Sequence, residues 1–450
     1  MSLKESDSTE SEPIYDAKAT AHFYPVIIVG GGPAGCATAL SLIRCNPDSK
    51  FLLLDDSDPE VFKIGESLPP SAKPTLGYLS SALLSRLQED TSVGNHGLCT
   101  GNASAWLSEH IEETYPIMNP YGMGWHLDRA HFDETLRDAV RDACSPPAHV
   151  GDSGSGAANS RKLERGRFTG VRRISGGWEV NVDGIEESSI QKTFRAIWLV
   201  DATGRKASLA HKLGANTTKL DSLLSFYALF SSNADHSPHH APDRDRRTLI
   251  EAASSGWWYT AQLPHALRLV AYHTDASDPS ARQARTLDGF NELLHAHTTH
   301  VAQALQDSAY EPLVLPGRQA QFPRCTAANS SFLEPCGAVQ TYNDSEIGQR
   351  CSPGWCAVGD AAMAFDPLSS QGMITAIEMG KYVGAILGRH LSGSIKDPES
   401  NPDVIDCIAR MYEKVRMKYQ KARRYYYGQV TRFEGEFWTR QRDVSINQNI

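Results

Sequence analysis

The chain has 450 residues, which is long enough for two intertwined domains or one large α/β unit. Its formal net charge of −9, with 40% hydrophobic and 22% charged residues, excludes the basic excess expected of a nucleic-acid-binding protein. The nine cysteines form no Cys-x-x-Cys pair, so we expect reduced thiols in a cytoplasmic protein and no metal site. The polar N-terminus does not resemble a targeting signal, and no apolar stretch predicts a membrane span or a membrane partner.

The first elements along the chain predict a βαβ unit. Residues 1–22 are rich in Ser, Glu and Asp and predict a disordered tail. Residues 26–29 and 51–54 are short apolar runs typical of buried parallel strands, and residues 36–42 between them predict a helix. Further on, Asp128 is the expected N-cap of another amphipathic helix.

The later elements predict a second sheet followed by helix. Residues 145–166 are loop-like, and residues 168–182 and 197–200 predict strands. Alternating patterns over residues 219–230 and 248–275 indicate an antiparallel sheet, in which Trp257 and Tyr259 share one face. That face forms either the wall of an aromatic pocket or ordinary core. Residues 323–353 predict loops, and residues 403–442 predict helix, with basic residues such as Arg423 in solvent.

A glycine fingerprint predicts a dinucleotide site. Gly30, Gly32 and Gly35 follow the first strand at G-x-G-x-x-G spacing, and Pro33 and Ala34 open the helix that follows. The glycines allow a tight turn, a close approach to a pyrophosphate and close packing of helix on strand. The helix N-terminus offers free N–H groups to phosphate. Asp55, or alternatively Asp56, ends the second strand. A carboxylate there accepts hydrogen bonds from ribose hydroxyls and, because it repels a 2′-phosphate, favours an unphosphorylated ribose.

Four motifs together resemble the FAD-dependent aromatic hydroxylase superfamily, in the branch shared by flavin-dependent halogenases and halogenase-like monooxygenases. They are the glycine fingerprint, Ile-Gly-Glu-Ser-Leu-Pro-Pro at 64–70, Trp-Leu-Val-Asp-Ala-Thr-Gly at 198–204, and Gly-Asp-Ala at 359–361 with Asp-Pro-Leu-Ser-Ser-Gln-Gly at 366–372. The resemblance extends from about residue 24 to 440. It implies an FAD-dependent oxidoreductase.

The resemblance also implies the fold class, which is α/β. We expect a Rossmann-like FAD-binding domain (GR2-type), an interleaved antiparallel-sheet substrate domain and a C-terminal helical region. After the tail, the FAD-binding domain takes residues 23–145, 195–218 and 350–395. The substrate domain takes residues 219–349, and the helical region takes residues 396–450.

The same resemblance implies further cofactor-binding residues. Gly359 and Asp360 correspond to the pair that binds the diphosphate and ribityl region of FAD. The turn that contains Pro367, Gln371 and Gly372 corresponds to the one beside the isoalloxazine, where backbone N–H groups stabilise negative charge. Gly65, Glu66 and Ser67 correspond to the family's turn that lies against the flavin. Arg129 corresponds to the arginine that approaches the cofactor. Arg129 is alternatively a surface arginine at a helix start.

Three departures favour hydroxylation over halogenation. In this family a C4a-hydroperoxyflavin passes its distal OH to an electron-rich carbon or to halide, and a lysine then steers the hypohalous acid. Tyr259 stands where halogenases have the second Trp of their motif, and Ser369 stands where tryptophan halogenases have Glu. Lys73 lies one residue from the expected lysine and is alternatively a solvated loop lysine. These three are the candidate catalytic residues.

The favoured hypothesis is an FAD monooxygenase of an electron-rich aromatic, either an indole or a phenol, free or carried on a peptide or carrier protein. A flavin-dependent halogenase is the near alternative, and a flavin-dependent reductase of isoprenoid double bonds is the more distant one. A non-enzymatic flavoprotein is the last. NAD(P)H is the expected electron source, directly or through a partner flavin reductase, although no second glycine fingerprint is present. Arg205 and Lys206 contact either a nicotinamide phosphate or solvent.

Overall fold

The computed structural model describes residues 22–59, 61–116, 119–145, 161–185, 191–232, 243–313, 323–339, 352–392 and 404–446. The predicted tail therefore lies outside the described residues, except for His22. Within these ranges no helix is both long and apolar enough to cross a membrane.

The strands are, in chain order, β1 His22–Val29, β2 Phe51–Asp55, β3 Ser67–Leu68, β4 His96–Cys99, β5 Asn102–Ala105, β6 Glu112–Thr114, β7 Gly124–Leu127, β8 Arg161–Arg165, β9 Arg167–Ile174, β10 Gly177–Asp183, β11 Lys192–Asp201, β12 Asn216–Lys219, β13 Leu223–Ser232, β14 Thr248–Ala253, β15 Gly256–Leu263, β16 Leu267–Asp275, β17 Tyr310–Pro312, β18 Arg324–Ala327, β19 Ser331–Glu334, β20 Gly337–Val339, β21 Gly354–Ala357 and β22 Met363–Ala364. The helices are α1 Pro33–Cys45, α2 Lys73–Leu79, α3 Ser81–Ser92, α4 Arg129–Cys144, α5 Ser208–Lys212, α6 Pro279–Gln283, α7 Leu287–His297, α8 His300–Asp307, α9 Gly372–Leu391, α10 Val404–Gln429 and α11 Glu436–Ile446.

The first large sheet has the strand order β20-β21-β11-β1-β2-β8, with β10 beside β11 and β9 beside β10. Strands β21, β11, β1, β2 and β8 run parallel. Both apolar runs of the predicted βαβ unit are buried here, as expected of strands covered on both faces. The α/β fold class and its Rossmann-like unit are thus confirmed.

Strand β8 corrects one prediction. Residues 161–165 form the edge of this sheet, although the sequence predicts a loop there. Four of its five residues are charged and only Leu163 is apolar, so the strand lacks the apolar alternation that identifies a strand in sequence. Its Glu164 pairs with Lys162 and Lys192, and charged side chains are common on edge strands because they oppose unwanted pairing.

Helices α1 and α9 pack almost backbone to backbone. A Cβ at Gly380 would lie 2.2 Å from the carbonyl oxygen of Ala34, and a Cβ at Gly384 would lie 2.3 Å from that of Thr38. Only glycine permits so close an approach. The two helices therefore run parallel, although more than three hundred residues separate them in the chain, and the N-terminus of α9 extends about two turns beyond that of α1.

The second large sheet has the order β17-β13-β16-β15-β14-β5-β6, with β18 beside β13. It is antiparallel apart from the β5–β14 pair, and its central strands are those predicted at 219–230 and 248–275. Strands β5 and β6 belong to it, although the predicted division gives residues 102–114 to the FAD-binding domain. Strands β18 to β20 occupy the predicted loop region, because runs of three or four residues are too short for a visible alternation.

The C-terminal helix α10 joins the two sheets. Its Tyr412 and Tyr419 pack into the core of the first sheet, whereas Tyr427 packs with Trp257 and Trp438 beside the second. Arg423, predicted to be solvated, is 5% exposed. The prediction was wrong because distant carboxylates of the chain meet this arginine in the interior.

Candidate functional site

A cavity of about 730 Å³ lies between the first sheet and the second, and most predicted site residues line it. Those on its walls are Gly30, Gly32, Pro33, Ala34, Asp55, Gly65, Glu66, Ser67, Arg129, Tyr259, Asp360, Pro367, Gln371 and Gly372. Gly35, Lys73, Gly359 and Ser369 are not among the lining residues. The two separated halves of the predicted nucleotide site therefore meet in one cavity.

The glycine fingerprint forms the turn between β1 and α1. Gly30 has a φ of +112°, and a Cβ there would lie 2.3 Å from the carbonyl oxygen of Ala202. A Cβ at Gly35 would lie 1.9 Å from the carbonyl oxygen of Gly30, so this glycine permits close packing behind the turn. Gly32, in contrast, has no atom within 4 Å of the position that a Cβ would take, and it borders open cavity. The turn thus presents bare backbone and a helix N-terminus to the cavity.

Asp55 lies against this turn. Its carboxylate accepts hydrogen bonds from the Gly31 N–H at 3.2 Å and the Ser57 hydroxyl at 2.6 Å. Arg137 Nη1 lies 3.4 Å from Asp55 and donates to the Gly31 carbonyl at 3.3 Å. Asp55 is 6% exposed, whereas the alternative, Asp56, has an exposed side chain. Arg137 was not predicted as a site residue. The sequence feature that could have identified it is its position among the buried leucine and valine of α4, where a charged residue needs a partner in the interior.

Arg129 holds the Gly65 turn in place. Its Nη1 donates to the carbonyl oxygen of Gly65 at 2.8 Å and to that of Ile64 at 3.2 Å. Its Nη2 forms an ion pair with Asp133 at 3.2 Å. Gly65 itself has a φ of +95°, which disfavours any residue with a side chain. Arg129 therefore fixes a glycine turn at the cavity wall and is not simply a surface arginine.

Glu66 and Tyr259 join this turn to the second sheet. Glu66 is 3% exposed and accepts hydrogen bonds from the Tyr259 hydroxyl and from the Gly65 N–H at 3.1 Å. The Ser67 hydroxyl lies 2.8 Å from the Tyr259 hydroxyl. Burial and the neighbouring Glu66 raise the pKa of Tyr259 well above its usual value. Tyr259 consequently stays protonated and donates to the carboxylate.

The segment predicted to lie beside the flavin is a capped turn. Asp366 accepts the Leu368 N–H at 2.9 Å, and the Ser369 hydroxyl donates to the Asp366 carbonyl at 2.9 Å. Ser369 therefore stabilises the turn from behind. Ser370 has a φ of +47°, and α9 begins at Gly372, which has open space at its Cβ position. The N-terminus of α9 thus opens onto the same cavity as that of α1.

Two arginines support this turn: Arg205, for which the sequence suggested a nicotinamide phosphate or solvent, and Arg423, which it placed in solvent. Arg205 donates to the Phe365 carbonyl at 2.9 Å and lies 3.7 Å from the Asp360 carboxylate. Arg423 lies 3.9 Å from Asp366. Burial raises the pKa of Asp366 to about 6, against the opposing effect of Arg423.

The Lys73 side chain contacts protein groups outside the cavity. Its ammonium donates to the carbonyl oxygen of Tyr121 at 2.5 Å and lies 4.9 Å from the centre of the Trp125 ring. Burial lowers the pKa of this lysine. Since Lys73 does not line the cavity, its ammonium is held by protein groups outside it.

The residues present fit FAD. Gly32 and Gly372 lie at the N-terminal ends of α1 and α9, and each has open space where a side chain would stand. Helix N-termini favour anions such as the phosphates of FAD. Asp55 offers a carboxylate at the end of β2, the usual place for a ribose contact.

Asp90, His96 and His131 form a cluster of metal-ligand type whose ligand atoms lie within 4.8 Å of one another. His131 pairs with Asp90 at 3.0 Å, and His96 Nδ1 accepts the Asp128 N–H at 3.2 Å. The proton of a neutral His96 then resides on Nε2, so neither of its nitrogens offers a free lone pair. We propose no metal at this cluster.

Comparison with known proteins gives relatives of one kind. No family model matches the chain. An FAD-dependent oxidoreductase of Marinomonas mediterranea, LodB, is 29% identical over 78% of this chain and 80% of its own length. A flavin-dependent halogenase of Armillaria mellea is 23% identical over 78% of this chain, which spans only 62% of that relative.

Solved structures share the fold. The myxobacterial chondrochloren halogenase CndH superposes with a TM-score of 0.70 at 18% identity, over 93% of this chain and 86% of that one. The peptidyl tryptophan dihydroxylase QhpG gives a TM-score of 0.60 at 18% identity, over 93% and 78% of the two chains. The predicted resemblance to the halogenase-like branch of FAD-dependent enzymes is confirmed, and so is the oxidoreductase class.

Proposed function

For this FAD-dependent oxidoreductase of the halogenase-like branch, we propose that the reaction is hydroxylation of an electron-rich aromatic ring, an indole or a phenol. The observation that carries the proposal is the position of Lys73. Its ammonium is bound by the Tyr121 carbonyl and the Trp125 ring and does not line the cavity. A halogenase needs a lysine between oxidant and substrate, whereas direct oxygen transfer does not. Two other lysines line the cavity: Lys63, whose ammonium pairs with Asp133 at 3.0 Å, and Lys206, which follows the Gly204 turn.

When bound and reduced, FAD supplies the electrons that activate dioxygen. The residues of this chain that would hold it are the 30–34 turn and Asp55 at the dinucleotide end, and residues 360 and 367–372 at the other. The backbone N–H groups at the start of α9 stabilise negative charge there. The second sheet forms one wall of the cavity, opposite the two turns.

Glu66 and Tyr259 supply a protonated group at the junction of the two sheets. The Tyr259 hydroxyl is kept protonated by burial and by Glu66, so it acts as a hydrogen-bond donor and not as a base. This arrangement orients the Gly65 turn against the cavity and leaves no ionised phenolate there to compete with the substrate for the oxidant.

A protein of similar fold supports a carried substrate. QhpG is a peptidyl tryptophan dihydroxylase, that is, a hydroxylase of an aromatic side chain within a peptide. We therefore include aromatics on a peptide or carrier protein among the candidate substrates. NAD(P)H, used directly or through a partner flavin reductase, remains the proposed electron donor, and the cytoplasm the proposed location.

Halogenation is the second candidate, because curated relatives and several structures of similar fold are named as flavin-dependent halogenases. The experiment that separates the two is product analysis of the FAD-loaded enzyme with a reducing system, air and a panel of phenols, indoles and aromatic peptides. Hydroxylation predicts an oxygenated product whose yield does not depend on bromide. A brominated product that forms only with bromide would instead establish the halogenase.

A further inference from the structure

The exposed face of α10 carries a row of basic residues. Five cations and two large apolar side chains between residues 410 and 425 are exposed and recur every three or four positions, so they share one face of the helix. At 1.5 Å per residue the row is about 21 Å long. We call these residues the basic stripe, and they are Arg410, Lys414, Met417, Lys418, Lys421, Arg424 and Tyr425.

The three lysines of the basic stripe lack acidic partners in the part of the chain that the structure describes. No described carboxylate lies within ion-pair distance of Lys414, Lys418 or Lys421. Glu413 is the only acidic residue between positions 410 and 425, and it lies at the margin of the exposed face. This local excess of positive charge contrasts with the chain as a whole, whose formal net charge is −9.

The basic stripe lowers the stability of the helix that carries it. Arg410, Lys414 and Lys418 follow one another at a spacing of four residues, and Lys418, Lys421 and Arg424 follow at a spacing of three. Like charges at these spacings repel one another, whereas alternating signs would stabilise the same helix. Because the repulsion reduces stability, it indicates that the positive charge has a function outside the fold.

Two large apolar side chains lie among these charges. Met417 and Tyr425 are each 61% exposed, although the opposite face of α10 buries Ile408, Tyr412 and Tyr419 in the core of the first sheet. Single exposed apolar residues are common on protein surfaces. Met, Tyr and Arg together in one patch, however, are residue types enriched where proteins bind one another.

We propose that the basic stripe is a docking surface for a partner protein with an acidic surface. The inference goes beyond the proposed function, because it concerns a face of the molecule that takes no part in the reaction. No residue of the stripe lines the cavity, so a partner docked there leaves the cavity free. Charge complementarity with the lysines would steer the partner, and Met417 and Tyr425 would supply the apolar contact.

The size of the basic stripe favours a protein over other acidic partners. A membrane or a nucleic acid extends well beyond about 21 Å and would meet the acidic remainder of the chain, which repels it. A protein surface of similar size meets the stripe alone. In addition, α10 cannot insert into a lipid interface, because its apolar face is already buried in the core.

The test measures binding of an acidic probe to the whole, FAD-loaded chain. The probe is a labelled helical peptide with glutamates and leucines on one face, and its affinity is measured by fluorescence anisotropy. Wild type should bind it, and added salt should weaken binding because surface charges are screened. The triple variant Lys414→Glu/Lys418→Glu/Lys421→Glu should bind at least about tenfold more weakly. Met417→Ser should bind about threefold more weakly, with the salt dependence of wild type.

The matched control is Lys50→Glu/Lys212→Glu/Lys219→Glu, which changes the net charge by the same amount at three exposed lysines outside α10. It should bind the peptide almost as tightly as wild type. Circular dichroism establishes that both triple variants are folded. If charge reversal disturbs folding, Lys414→Gln/Lys418→Gln/Lys421→Gln takes its place and should also weaken binding.

No binding by wild type, equal losses in the two triple variants, or an unchanged affinity of Met417→Ser would overturn the inference. The same holds if duplex DNA or phosphatidylserine vesicles bind the stripe more tightly than the peptide does. Self-association of wild type that the stripe variant abolishes, measured by sedimentation velocity, would assign the surface to a second copy of the chain instead.

Discussion

The hydroxyl of Tyr427 donates a hydrogen bond of 2.6 Å to the buried carboxylate of Asp366. It joins the C-terminal helix α10 to the turn that borders the cavity, and Tyr427 also accepts from Trp257 of the second sheet. Three parts of the chain that are distant in sequence are therefore fixed to one another directly behind the site.

Substitution of Tyr427 by Phe tests this connection. It removes the donor to one oxygen of the buried Asp366 carboxylate, whose other oxygen keeps the Leu368 N–H, and it leaves the buried Trp257 N–H without its acceptor. We expect a loss of about 1–3 kcal/mol in the free energy of unfolding, measured by urea titration. The neighbouring Tyr426 has an exposed ring, so Tyr426→Phe is the control and should have little effect. Equal stabilities of the two variants would contradict the role given to Tyr427.

The raised pKa of Asp366 predicts a pH dependence of stability. The pKa of Asp366 is about 6 in the folded protein and has its ordinary value of 3.8 in the unfolded chain. At a pH between these two values the folded protein therefore binds the carboxyl proton more tightly than the unfolded chain does. The contribution of Asp366 is therefore fully present below pH 3.8 and is lost as the pH rises through about 6. The loss is at most about 3 kcal/mol, from a shift of roughly two pKa units.

Asp366→Asn removes this titration. The difference in unfolding free energy between wild type and variant, measured by urea titration across this pH range, should change in favour of the variant as the pH rises. Parallel stability curves for the two proteins would show that Asp366 does not titrate with a raised pKa.

The close contact of α1 and α9 predicts that Gly380 cannot carry a side chain. Gly380→Ala places a methyl group against the Ala34 carbonyl and forces the two helices apart. We expect a stability loss of about 1–3 kcal/mol and weaker FAD binding, measured by flavin fluorescence quenching. Gly428→Ala is the control, since nothing lies within 4 Å of its Cβ position, and this variant should bind FAD normally.

Tyr259→Phe tests the link between the two sheets. The substitution removes the donor to the buried Glu66 and should lower stability by about 1–3 kcal/mol. Because the hydroxyl also positions the Gly65 turn, turnover should fall while FAD stays bound. Steady-state kinetics with the flavin absorption spectrum distinguish the two effects, and unchanged turnover would exclude a positioning role for Tyr259.

The two turns that border the cavity could be predicted from sequence because the residues that determine each turn are contiguous. The Gly30 to Gly35 turn and the turn of residues 366–372 are short motifs whose backbone conformation depends on glycine, proline and capping residues. The apolar runs of β1 and β2 are equally local signals. These features need no knowledge of the rest of the chain.

The remaining features depend on contacts between distant segments. Arg423 looks like one more basic residue of a helix, and its burial follows only from Asp221 and Asp366 meeting it in the fold. The direction of the Lys73 side chain likewise depends on Tyr121 and Trp125.

The most direct test of the central claim is the product formed under isotope-labelled dioxygen with bromide present, analysed by mass spectrometry. The FAD-loaded, reduced enzyme should give an aromatic product that contains one labelled oxygen atom and no bromine. A brominated product without labelled oxygen would contradict the assignment as a monooxygenase.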